Sequence, residues 1–161
     1  MIEAFCDWLS TTSVSVAFQS ANWFVPLVQT IHIIAIAILL MTLYLIGVRL
    51  LGLNAQSPSL AATMAKSRVW IWSALSVLLL TGVLLTITEP ARELLNWVFR
   101  TKMLLVLLLA VIVAIVQSRL QRDPDYWTAS AQRMLAGRCV GALVLIIGAG
   151  IITAGRWIAY V

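Results

Sequence analysis

Five side chains carry the chemistry available to the apolar stretches of this sequence: His32, Thr81, Lys102, Arg156 and Gln29. An imidazole can ligate a metal or haem iron and can move a proton near neutral pH. His32 is the only histidine in 161 residues, and it lies inside the apolar run from Trp23 to Arg49. A titratable ring in a membrane-crossing helix is costly to bury, which makes it a functional-site candidate by default. Lys102 and Arg156 are cations able to pair an acidic group, while Thr81 and Gln29 can orient a ring or a ligand through hydrogen bonds.

The elements that must position these residues are membrane spans. A spanning helix needs about 20 apolar residues to cover roughly 30 Å of hydrocarbon. The sequence offers four such runs, at about 23–47, 69–88, 98–117 and 138–160. It is 62% apolar and 11% charged, against roughly 25% charged in soluble domains, and its mean hydropathy is +1.01. The expected fold is therefore all-α: an integral membrane four-helix bundle forming one domain over residues 1–161. Ile2, Phe5, Cys6 and Leu9 share one helical face, which predicts a short N-terminal helix lying in the interface. MIEAFCDWLS has no basic n-region and reads as mature sequence. Pro26 falls in the first turn of the first span, where its missing N–H is harmless. Gly52, Asn54, Ser57 and Pro58 predict a turn and then a short amphipathic piece. Glu89-Pro90 stops the second span, ARELLNWV predicts one interfacial turn, and Asp123-Pro124-Asp125 predicts another turn.

Basic residues set the orientation. Arg49, Lys66, Arg68, Arg119, Arg122, Arg133 and Arg138 flank one side of the spans, and Arg92, Arg100, Lys102 and Arg156 the other. The richer side is expected to be cytoplasmic. Both termini then face outward, on the periplasmic side of a bacterial inner membrane. The +5 net charge is distributed as orientation signals and forms no face for nucleic acid. Cys6 and Cys139 fall on opposite sides and cannot pair within one chain. No CxxC or CxxCH spacing occurs, and all six acidic residues lie outside the spans, which argues against catalysis by paired carboxylates.

With this topology the polar residues reach one depth. His32 lies about eight residues in, roughly 12 Å at 1.5 Å per residue. Thr81, Lys102 and Arg156 also fall in the outer half, one from each remaining span, and Gln29 shares a face with His32 nearer the surface. They predict a polar pocket opening outward, against the alternative that Lys102 and Arg156 merely snorkel and His32 bonds a neighbouring helix. In the last span Gly137–Gly141 and Gly150–Ala154 are small-xxx-small spacings that let helices approach closely, and the same stripe could admit a flat macrocycle. Met41, Met64, Met103 and Met134 do not share a depth and read as apolar filling.

The stretches QTIHIIAIAILLMTLYLIGVRLLG, LLLTGVLL and FRTKMLLVLLL resemble a bacterial four-helix membrane family of unknown function. They are more distantly similar to CopD copper-resistance membrane domains and HemJ-type protoporphyrinogen oxidases. The resemblance covers about 22–117. His32 matches the first-helix histidine and Lys102 the third-helix lysine, a pair that in HemJ-type proteins is essential and associated with a b-type haem or porphyrin. Arg49 and Thr81-Gly82 match as well. The further histidines of HemJ-type proteins and the additional metal ligands of CopD-type domains have no counterparts here.

Three functions follow as expectations. In the first, His32 ligates a b-type haem, with Lys102, Arg156 or Arg100 pairing propionates. One histidine then leaves a five-coordinate iron, a Met or Lys sixth ligand, or a haem shared between two copies. The second is copper handling, for which imidazole and thioether are suitable ligands. The third is a cofactor-free accessory or structural subunit, in a homo-oligomer or a membrane complex.

Overall fold

The computed structural model describes residues 1–53 and 59–160. Among them there is no strand, and the fold is the all-α four-helix bundle. The long helices are α3 (Phe24–Leu50), α4 (Leu60–Thr88), α6 (Trp97–Arg122) and α7 (Ala131–Trp157). Each is long and apolar enough to cross a membrane, so the chain is built as a multi-pass membrane protein. Three short helices, α1 (Ile2–Ser10), α2 (Ser13–Ser20) and α5 (Pro90–Leu94), gather at one end.

The helices extend past the apolar runs because their polar flanks are capped. Ser59 accepts from the Ala62 N–H at 3.2 Å and Ser130 from the Arg133 N–H at 3.3 Å, N-cap bonds that satisfy otherwise orphaned donors. Thus α4 begins nine residues before the expected 69, and the amphipathic piece is its first turns. Likewise α7 begins seven residues before 138, and its expected last residues, Ile158–Tyr160, form a 3-10 turn instead. Gly52 makes its turn at φ +78°, a left-handed conformation that favours glycine. Asn54, Ser57 and Pro58 of the expected turn lie outside the described residues.

Around the bundle the order is α3–α4–α6–α7, with α3 packed on α4 and α7, and α6 on α7. The α3/α7 seam is closest at Gly141, where an added Cβ would lie 2.8 Å from the Gly47 carbonyl oxygen. Here the small-residue stripe serves close packing within one chain. By contrast, α4 and α6 touch only sparingly. Trp72 Nε1–H donates to Gln117 Oε1 at 3.0 Å, at the end of the pair away from the short helices. Along the spans, Thr30, Thr42, Thr81, Thr86, Thr88, Thr101 and Thr153 each return their hydroxyl proton to the carbonyl four residues back, which hides it in a medium without water.

The α2 helix, which no local pattern predicts, is tied to the end of α4. Buried Ser15 Oγ donates to the Ile87 carbonyl at 2.8 Å, and Gln19 Nε2 donates to Ser15 Oγ and to the Thr88 carbonyl at 3.0 and 2.9 Å. The α1 helix lies across the same end against α5 and α4, with Cys6 buried and Ile2, Phe5 and Trp8 exposed. An apolar exposed edge on a helix at this level suits a membrane interface. Cys6 and Cys139 are both free thiols.

Candidate functional site

Between the sparingly packed α4 and α6 lies a cavity of about 480 Å³, within the roughly 300–1,000 Å³ range of small-molecule sites. Its walls are α3, α4 and α6, and α5 and α1 roof it. The lining is apolar apart from a few groups, chiefly His32, Lys102, Glu93 and Thr86. Two of the five residues singled out from the sequence, His32 and Lys102, therefore meet at one cavity.

Thr81 acts one layer behind. It is buried, and its Oγ1 stands 2.7 Å from His32 Nδ1. A hydroxyl has one proton, and Thr81 gives it to the Val77 carbonyl at 2.6 Å. Its oxygen must therefore accept from the imidazole, so Nδ1 carries the ring proton and Nε2 keeps the lone pair. No other hydrogen-bond partner takes the ring among the described residues. Gly82 lies beside the ring, where a Cβ would stand at ordinary contact distance, 3.8 Å from His32 Cε1.

Lys102 is half-buried, six residues below the Asn96 cap of α6, where Asn96 Oδ1 accepts from the Val98 N–H at 2.9 Å. Its chain runs beside α7: a Cβ on Gly155 would be 3.9 Å from both Cε and Nζ.

Glu93 is the cavity-lining group that the sequence reading missed. The link between the second and third spans is only a few residues long, so its single turn must fold over the bundle end. Pro90 starts that turn, and Arg92 Nη1 bridges back to Glu89 Oε2 at 2.6 Å. These contacts turn Glu93 into the roof. Burial pushes its carboxyl above the ordinary carboxylate range, against the opposing pull of Lys102 and Arg92. The available signal was the shortness of the link, which forbids its residues from staying clear of the bundle.

The other two candidates stand apart. Arg156 is exposed, with Nη2 donating to Tyr160 Oη at 3.1 Å and the guanidinium 5.4 Å from that ring. It snorkels outward and does not line the cavity. Gln29 is exposed and lines a small neighbouring crevice with Thr88, Glu89 and Arg92, which shares Glu93 with the main cavity. Among the described residues no group of three His, Cys, Asp or Glu side chains could hold a metal ion. The cavity offers one imidazole and one thioether, Met103. Comparison with protein-family models, with curated proteins and with solved structures finds no match to this chain.

Proposed function

We propose that this chain is a small membrane protein that holds a b-type haem in the cavity between α3, α4 and α6. One observation carries the reading: Thr81 fixes the proton on Nδ1 of His32, leaving Nε2 as the free donor atom of a cavity-lining ring. Ligating histidines are typically held this way, with the second nitrogen tied to an acceptor that sets the tautomer. The residues present fit the group. His32 would supply the iron ligand, the apolar walls would cover the macrocycle, and Lys102 would pair a propionate at the outer end. Met103 lies on the same wall and offers a soft sixth donor; otherwise that position falls to a second copy or a membrane partner. A bound haem would supply one-electron transfer.

The protein's own contribution is to hold the imidazole oriented through Thr81, to exclude water with the α1/α5 roof, and to place one cation near the surface. The expected setting is a bacterial inner membrane with both termini periplasmic. The basic ends of the helices support this, since Arg49, Arg119, Arg122, Arg133 and Arg138 cluster at the end opposite the roof. Copper handling has no comparable support, because one imidazole and one thioether make a poor cage.

The test is the visible spectrum of protein purified in detergent from haem-replete cells. A Soret band lost in His32→Ala and shifted in Thr81→Val supports the proposal, with each variant's helicity and elution checked for folding. A colourless wild type that also fails to take up added haemin overturns it and leaves the accessory-subunit reading.

A further inference from the structure

The cavity lining shows where a ligand enters. Four lining residues are also exposed at the surface: Leu79 at 65% and Val83 at 49% on α4, Met103 at 43% on α6, and Phe5 at 49% on α1. They form the rim of a mouth. Val83 and Leu79 lie five and nine residues from the end of α4, so the mouth reaches roughly 13 Å down the helix at 1.5 Å per residue. A mouth facing water would have a polar rim, whereas every one of these side chains is apolar. The opening also follows the one sparingly packed seam, α4/α6, which is held at its inner end by Trp72 and Gln117.

Inside the mouth the polarity is graded. Leu75, Leu78, Val106 and Leu109 line the deep part, while Lys102 and Glu93 stand at the outer end. Lys102 has no hydrogen-bond or ion-pair partner among the described residues. The Glu93 carboxyl, raised by burial, stands at the same end, and among the described residues no ion pair joins it to that ammonium.

We propose that the cavity is loaded sideways from the bilayer, through the α4/α6 mouth, by an amphiphile with an apolar body and a carboxylate head that pairs with Lys102. A long-chain fatty acid and a porphyrin both present this chemistry. The assignment deepens the haem reading for porphyrins but does not need iron or His32.

The test uses the full chain in phosphatidylcholine nanodiscs with two iron-free probes supplied in the lipid: spin-labelled stearic acid, read as its motionally restricted fraction, and protoporphyrin IX, read by fluorescence. Each is compared with its methyl ester. Lys102→Gln should weaken binding of the acids about tenfold, the contribution of one charge-assisted hydrogen bond, and leave the esters unchanged. Leu79→Trp with Met103→Trp, which plugs the mouth, should slow loading from lipid without moving any α1 or α5 residue. Binding of the stearate alone, or of the porphyrin alone, identifies which body the cavity takes. Equal binding of acid and ester, or loading left unchanged by the mouth plugs, overturns the proposal. Haemin uptake that depends on His32 while both iron-free acids ignore Lys102 would sink this inference and leave the haem reading standing. Lys102-dependent binding of the iron-free acids without a His32-dependent Soret band would do the reverse.

Discussion

His32 Nδ1 and Thr81 Oγ1 stand 2.7 Å apart, and the direction of their hydrogen bond is dictated by the threonine, whose proton is already committed to the Val77 carbonyl. A helix-interior threonine with this back-bond is an acceptor only, so it selects one of two imidazole tautomers. In Thr81→Val that selection disappears while shape and helix are kept. Nitrogen-15 NMR of histidine-labelled protein should show a single Nδ1–H tautomer in the wild type and a mixture, or the other tautomer, in the variant. The stability loss should be small, about 0.5–1.5 kcal/mol, as for a single side-chain hydrogen bond. An unchanged tautomer would mean that something other than Thr81 orients the ring.

Two glycines of α7 should respond very differently to the same methyl group. At Gly141 an added Cβ would meet the Gly47 carbonyl oxygen and Leu50 Cβ, both at 2.8 Å, and neither can swing away. At Gly148 the nearest atom is Leu40 Cδ2 at 3.4 Å, the movable end of a side chain. Gly141→Ala should therefore force α3 and α7 apart and cost about 1–3 kcal/mol, as overpacking does. Gly148→Ala should be neutral or slightly stabilising, because alanine has the higher helix propensity. Unfolding in mixed micelles measures both, and equal effects would contradict the packing at this seam.

What the sequence reveals and what it hides divide along a geometric line. Hydropathy places the spans, and counting at a fixed rise per residue places His32, Thr81 and Lys102 at a common depth. Rotation about each helix axis is not in that count. Arg156 has the right depth, yet it turns outward to Tyr160; Gln29 has the right face by spacing, yet it falls in the neighbouring crevice. Glu93 is invisible for a different reason, since it reaches the cavity through the fold of a link and not through a span. The N-terminal helices are hidden similarly: α2 is held by Ser15 and Gln19 bonding to carbonyls about seventy residues away, which no local pattern announces.

Glu93 should make stability depend on pH in the direction opposite to a salt-bridged acid. Its carboxyl is raised in the folded state by burial, beyond the opposing influence of Lys102 and Arg92. The folded chain therefore holds this proton more tightly than the unfolded chain, and stability falls as pH rises from the ordinary carboxylate value through the folded one. Below that window the site carries no charge penalty; above it the penalty is complete. Glu93→Gln keeps the shape and removes the titration. The difference in Tm between the wild type and Glu93→Gln should be near zero at the acid end and grow in favour of the variant with rising pH. A variant that loses stability toward neutral pH would show that the ionised carboxylate is the favoured form, with Lys102 as its dominant partner.

Lys102 and Arg156 share a charge and a depth but should separate in a stability measurement. Arg156 reaches the surface and rests against Tyr160, so Arg156→Gln should change stability by no more than the few tenths of a kcal/mol typical of an exposed site. Lys102 keeps its ammonium half-buried at an apolar wall, a position that carries a free-energy cost in a membrane helix. Lys102→Met preserves the length of the side chain and removes that cost, and it should stabilise the bundle by about 1 kcal/mol, less than the full charge penalty because Lys102 lies near the helix end. Gain of stability together with loss of ligand binding is the pattern of a residue retained for function at the expense of the fold. A destabilised Lys102→Met would instead make the lysine a structural partner of Glu93, and the cavity would lose its head-group site.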